Sequence, residues 1–351
     1  MRVIVVRNDR LGDFMLAWPA VQMLARNLPG VDVCLLARDY TLPMARLCPG
    51  VSDVFCDPGL GGELANARAL ARLLRPERFE AALALFSRFD TALGLALARI
   101  PRRVAPATKA AQIFYTQRLR QRRSRSLRPE WLYNVELAEF FLAALGVDSP
   151  VRPASPYLSF PAEAVRRTRA GLAARLSFDP ERPLVLLHPG HGGSSPTLPP
   201  SGFARIGQEL ADAGAELVLS QGPGDEAAVA AVAGALGGVP HHVYVSTEGL
   251  DAYARTVAAA DLFVAGSTGP LHVAGALDVP TAAFYPSRRS ASAVRWQTLN
   301  SEDRRLAFMP PAGAAEDDFA AIDLGDASAR IRSLLERVVR RRERAPTDPR
   351  T

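Results

Sequence analysis

The stretch MRVIVVRNDRLGD, residues 1–13, decides how the rest of the chain is read. Val3–Val6 is a continuous apolar run rather than an alternating one, as expected of a strand buried on both faces. A polar turn follows. Leu16, Pro19, Ala20, Met23 and Leu24 then recur near helical spacing, which predicts a helix over Phe14–Leu24. Working outward, Val31–Leu36, a weak Val54–Cys56 and Ala81–Phe86 read as further strands. The pattern weakens from Arg102 to Trp131, and a helix over Val135–Leu145 ends at Gly146. Alternating strands and helices of this kind predict a parallel, doubly wound sheet.

Pro150, Pro153, Pro156 and Pro161 then crowd one short segment, which reads as a linker. Beyond it the alternation restarts. Leu184–Leu187, Glu216–Leu219, His242–Val245, Leu262–Ala265 and a last strand, Thr281–Tyr285, are separated by helices over Ser201–Ala213, Asp225–Leu236, Leu250–Ala260 and Pro270–Leu277. A basic helix, Ala327–Arg342, closes the chain, with Asp326 placed to cap it. The expectation is α/β: two Rossmann-like domains, residues 1–158 and 159–351, facing a cleft where ligands bind.

The 351 residues suit two domains, and 48% hydrophobic with 22% charged residues excludes a disordered chain. A net charge of +6 favours anionic partners without choosing among them. The three cysteines, Cys34, Cys48 and Cys56, are odd in number and form no C-x-x-C, so neither a disulfide framework nor a zinc site is expected. The first apolar run is too short for a signal peptide, and no 18-residue apolar stretch occurs. A cytoplasmic protein, extending to the inner face of the membrane, is the expectation.

Five segments carry candidate chemistry. Arg7-Asn-Asp-Arg-Leu-Gly-Asp13 follows the first strand, at the carboxyl end where active-site groups gather. Asp13 there either accepts a proton as a general base or caps the first helix. Asp9 falls earlier in the loop and stabilises the turn, and Arg7 is a candidate acceptor ligand. Ala265-Gly-Ser-Thr-Gly-Pro-Leu-His272 joins a strand to a helix N-terminus. It reads as a phosphate cradle with Ser267, Thr268 and Gly269 as its donors, or as an ordinary turn. Leu187-His-Pro-Gly-His-Gly-Gly-Ser-Ser195 is a Gly-rich loop offering Ser194 and Ser195. Its H-x-x-H is discounted as a metal site because Pro189 and Gly190 break the helix that would align His188 with His191. In Gln221-Gly-Pro-Gly-Asp-Glu226, Asp225 or Glu226 either holds ribose hydroxyls or caps a helix. Finally, Arg118, Arg120 and Arg122 lie within a basic stretch from Arg102 to Arg128. It grips an acidic sugar or a lipid phosphate, meets nucleic acid, or is merely solvated.

Four motifs occur in one order: R-x-x-x-x-G-D at the start, H-P-G opening the second half, G-P-G-D/E after the next strand, then T-G-P-L-H-V-A-G-A-L. That order resembles glycosyltransferase family nine, the ADP-heptose:lipopolysaccharide heptosyltransferases, from Met1 to about Pro286. The resemblance implies a GT-B fold, inversion at the anomeric carbon and no metal or other cofactor. It implies that Asp13 is the base, and that Thr268, Gly269 and the following helix hold the donor diphosphate with His272 nearby. It also implies that the terminal helix packs back on the first domain. Two positions depart from the family pattern. Ser267 stands where members carry an acidic residue. Pro196-Thr-Leu-Pro-Pro200 replaces a lysine-bearing run, removing a charge-assisted contact of about 1.5–3 kcal/mol. The expected partners are a nucleotide sugar, an anionic glycan or glycolipid acceptor and, peripherally, an anionic membrane. Nucleic acid is not expected, since only charge speaks for it. The alternative is a catalytically impaired relative that only binds nucleotide sugar or polysaccharide.

Overall fold

The structure, a computed structural model, describes residues 1–190, 192–193 and 196–344. The chain divides into two compact units, Met1–Leu158 and Ser159–Thr351.

In the first unit, β1 (Arg2–Val6), β2 (Asp32–Ala37), β3 (Asp53–Cys56), β4 (Ala81–Ala84), β5 (Arg102–Pro106) and β6 (Gln117–Leu119) form one sheet in the order β3-β2-β1-β4-β5-β6. Every pairing is parallel. Val3, Ile4, Val5 and Val6 are fully buried, as a central strand covered on both faces requires. The helices are α1 (Leu11–Met15), α2 (Trp18–Asn27), α3 (Leu42–Leu47), α4 (Glu63–Leu74), α5 (Phe89–Leu97) and α6 (Glu130–Ala143). The single helix expected over Phe14–Leu24 is broken in two. Pro19 has no N–H to return to Met15, and the helical ladder lapses around Leu16 and Ala17 before restarting at α2.

The second unit repeats the plan. Strands β7 (Leu184–His188), β8 (Glu216–Gln221), β9 (His242–Val245), β10 (Leu262–Gly266), β11 (Thr281–Phe284) and β12 (Arg305–Phe308) lie in the order β12-β11-β10-β7-β8-β9, again all parallel. The last strand is therefore β12, not the Thr281–Tyr285 run. Helices α7 (Ala162–Leu176), α8 (Pro200–Asp212), α9 (Glu226–Leu236), α10 (Leu250–Ala258) and α11 (Gly269–Ala276) link or precede these strands. Gly214, with φ of +88°, follows α8 and turns the chain into β8.

Helix α12 (Leu324–Arg344) is corrected in two respects. Ala327, Ile331, Leu334 and Leu335 are buried at helical spacing in the core that Val185, Leu187, Phe203 and Ile206 share. Its apolar face is thus spent on the core of the second unit, where packing on the first was expected. Its first turn is held by Asp323, whose Oδ1 accepts from the backbone N–H of Gly325 (2.9 Å) and Asp326 (3.1 Å). Asp326 instead pairs with Arg330 one turn along.

Both units share the doubly wound order in which the chain leaves the centre first to one side and then to the other. The crevice outside the carboxyl ends of the two central strands is where such sheets hold ligands. In the first unit those strands are β1 and β4; in the second they are β7 and β10.

Candidate active site

Arg7 leaves β1 at its carboxyl end and is buried, only 1% exposed. Its Nε donates to Asp9 Oδ1 at 2.9 Å and its Nη2 to Asp13 Oδ1 at 2.5 Å. Nη1 reaches the Leu85 carbonyl beyond β4 at 3.5 Å. Burial opposes the guanidinium's charge, but Asp9, Asp13 and Glu130 outweigh it and raise its pKa. Arg7, expected as an acceptor ligand, is thus turned inward to two carboxylates. A side chain this deep, with its donors given to two carboxylates, fixes those carboxylates instead.

Asp13 lies in the first turn of α1 but makes no cap: the N-cap is Arg10, with no side-chain bond to the helix. The carboxylate turns to Arg7 and its side chain stays 23% exposed. Asp9 is lifted to about 6 by burial, with Asp13 adding to the rise and Arg7 opposing it.

Beneath this loop lies a polar cluster that sequence reading missed. Asn8 Nδ2 donates to Asp57 and to Thr91 Oγ1. Asn66 Nδ2 bridges Asp57 Oδ1 (3.1 Å) and Asp90 Oδ2 (2.9 Å). Arg88 grips Asp90 with two bonds, at 3.0 and 2.7 Å. Burial works against the Asp90 carboxylate, but these bonds and the Thr91 N–H hold it below the usual range. Asp57 directly follows β3, and Arg88 and Asp90 follow β4. Polar residues just past strand ends were the signal available.

In the second unit the loops after β7, β8 and β10 converge. His188 is buried, its Nδ1 bonded to the Ser220 carbonyl at 3.1 Å and its ring stacked near Phe263. Burial lowers its pKa against the pull of Asp225, so the ring is neutral. Asp225 is buried, with Oδ2 accepting from the Gly222 N–H at 3.0 Å and its carboxylate against Gly190. It occupies the N-cap position of α9 without a cap bond. Its expected place as an open ribose ligand gives way to an internal one that ties two loops together. Glu226 is exposed and accepts from the Gly224 N–H. Ser194, Ser195 and His191 lie outside the described residues.

Thr268 is the N-cap of α11 by position, with Gly269 and Pro270 opening the helix. Its Oγ1 is buried and, among the described residues, bonds neither the helix nor any other group. Thr197 Oγ1 is in the same state and lies against Gly266. Two unspent hydroxyls beside a helix N-terminus suit a phosphate-bearing ligand. Ser267 is half-buried at the same turn. His272 is buried one turn into the helix, edge-on to Trp296. Among the described residues no three His, Cys, Asp or Glu side chains gather as a metal site.

The basic stretch divides. Arg123 is largely buried on Glu130 (2.8 Å), and Arg128 pairs with Glu136 over the Tyr133 ring. Arg118, Arg120 and Arg122 are exposed and make no ion pair among the described residues. No helix among those residues is long and apolar enough to cross a membrane.

Comparison with known proteins agrees with this plan. Residues 67–307 match the model of glycosyltransferase family 9 (heptosyltransferase). A protein of Haemophilus influenzae with a provisional glycosyltransferase name is 35% identical over 94% of this chain and 95% of its own. A lipopolysaccharide heptosyltransferase 2 of Salmonella typhimurium is 25% identical over 81% of this chain and 82% of its own. Among solved structures, a family 9 glycosyl transferase of Veillonella parvula superposes with a TM-score of 0.80 at 16% identity, covering 96% of this chain and 97% of that one. The E. coli ADP-heptose LPS heptosyltransferase II gives 0.77 at 20%, covering 98% and 100%. With two Rossmann-like sheets of the GT-B class and the family's motifs at their strand ends, the chain belongs to glycosyltransferase family 9 and is a glycosyltransferase of the heptosyltransferase kind.

Proposed function

We propose that the protein is an inverting transferase that moves a sugar, heptose from ADP-heptose, onto a hydroxyl of an anionic, lipopolysaccharide-core-like glycan. The observation that carries this reading is the Asp13 carboxylate, fixed by a buried arginine at the carboxyl end of β1 yet still partly exposed. Asp13 takes the proton of the acceptor hydroxyl as its oxygen bonds to the anomeric carbon. The bond from that carbon to the diphosphate breaks on the opposite face, and the diphosphate departs with the electron pair. The N-terminus of α11, with Thr268 and Gly269, meets that developing charge. Thr197, Ser267 and Glu226 are further donor contacts in this reading, with His272 supporting the helix from within.

The donor identity is supported by a relative named as a lipopolysaccharide heptosyltransferase and by an E. coli heptosyltransferase solved with ADP. The Pro196–Pro200 run without a lysine argues for weaker diphosphate binding than in such relatives. Arg118, Arg120 and Arg122, exposed and without an ion pair among the described residues, favour an acidic acceptor, and working at the inner face of a membrane would bring a lipid-linked one within reach. Thermal shift across ADP-, UDP- and GDP-sugars identifies the donor, since ligand raises apparent stability by mass action. With donor and acceptor in hand, Asp13→Asn should fold, bind donor like the parent and lose about 10²–10⁴ in turnover. Turnover within a few-fold of the parent would rule out Asp13 as the base.

A further inference from the structure

A base held by an arginine is a contradiction in electrostatic terms. An opposite charge at hydrogen-bond distance favours the carboxylate over its protonated form and so makes it a poorer proton acceptor. Arg7 resolves this by being shared. Its Nε is given to Asp9 and its Nη2 to Asp13, so one positive charge faces two negative ones. Only Oδ1 of Asp13 is engaged by Arg7. Its Oδ2 has no hydrogen bond among the described residues.

We infer that Arg7 and Asp9 are positioning residues acting through Asp13: Arg7 fixes the carboxylate's direction, and Asp9 offsets the charge of Arg7 that Asp13 would otherwise face alone. The inference rests on the proposed role of Asp13 and deepens it.

The surroundings make the balance local. Arg7 is buried, so its field on Asp13 is little screened by water. From α6, Glu130 adds negative charge near Arg7, but it is itself paired with Arg123. From beyond β4, Arg88 faces Asp9 electrostatically while bonded to Asp90. Beyond β2, Arg38 Nε is spent on the Asn8 carbonyl, and the neutral Tyr40 hydroxyl reaches the Asp9 carbonyl at 3.4 Å. Asp9 is bonded to the same guanidinium that holds Asp13.

The sign of the pH effect follows. Above pH of about 6, Asp9 is charged and Arg7 is offset. As pH falls through that value Asp9 takes a proton and the charge of Arg7 is left to Asp13. The parent's acid limb should therefore carry the Asp9 titration.

The test compares pH profiles of kcat and kcat/KM for the parent, Asp9→Asn, Arg7→Lys and Asp13→Asn, with circular dichroism to verify folding. Asp9→Asn should lower the plateau kcat and move the acid limb down by about one pH unit or more, with donor KM unchanged. Arg7→Lys should lower kcat at least about tenfold with little change in KM, since one ammonium cannot hold both carboxylates in the fork's geometry. An Asp9→Asn enzyme with the parent's limb and plateau overturns the inference while Asp13→Asn remains inactive. If Asp13→Asn is itself active, the underlying assignment of the base has failed instead. If Arg7→Lys does not fold, the Asp9→Asn profile decides alone.

Discussion

A methyl group at Gly190 would fall inside the Asp225 carboxylate, so the loop after β7 closes on the loop after β8 only with glycine there. Gly190→Ala should destabilise the fold by about 1–3 kcal/mol, the usual cost of overpacking a tight site. In an Asp225→Gly background the same change should cost much less, a coupling that urea unfolding of the four proteins measures. Equal costs in both backgrounds would sink the contact. At this scale the sequence was legible where a segment is local in the chain. The segments that carry Asp13 and Thr268 each run from a strand end into a helix, as their sequence pattern predicts. The burial of Arg7 was not legible because charged residues are taken as exposed unless a partner is known, and its partners lie two and six residues on. The cluster of Asn8, Asp57, Asn66 and Asp90 was illegible for another reason. Its bonds join residues up to 83 positions apart, from separate strand ends and helices, and only the sheet brings them together.

Strands with a continuous buried run were readable, and so were the edge strands β3 and β9, whereas β5, β6 and β12 were not. Central strands β1, β7 and β10 declare themselves as apolar runs. β6 and β12 lie at sheet edges, where Arg118 and Ala307 are exposed, and their short mixed sequences carry no clear period. β5 opens on Arg102 and Arg103 and buries only Val104–Pro106, so its charge hid it. Helix α12 was found, but its partner and its cap were not. The apolar stripe of an amphipathic helix shows that something covers it without saying what. Asp323→Ala should lower stability by about 0.5–2 kcal/mol, as loss of an N-terminal cap does. Asp326→Ala removes an exposed pair with Arg330 and should stay within about 0.5 kcal/mol of the parent. Chemical denaturation that ranks the two the other way would return the cap to Asp326.

Over the whole molecule the net charge of +6 is not evenly available. In α12, Arg341 is held by Asp303, and Arg342 by Asp261 and the Glu181 carbonyl. Arg118, Arg120 and Arg122 are exposed and make no ion pair among the described residues, so contact with an anionic surface should depend on them. Cosedimentation with vesicles rich in phosphatidylserine should weaken as salt rises, and replacing all three by Ser should cost roughly 10²-fold in partition, at about 1 kcal/mol per charge. Undiminished binding of the triple variant would place the contact elsewhere. The seating of α12 also bears on how the chain is made. Every strand partner of β1 lies within the first unit, so that core is complete once Leu158 has been added. The second core opens at β7 and waits for Ile331, Leu334 and Leu335 before its last face is covered. During synthesis, the nascent chain between β12 and α12 carries a finished sheet with an uncovered apolar side. That interval is when it is most exposed to aggregation and most in need of a chaperone.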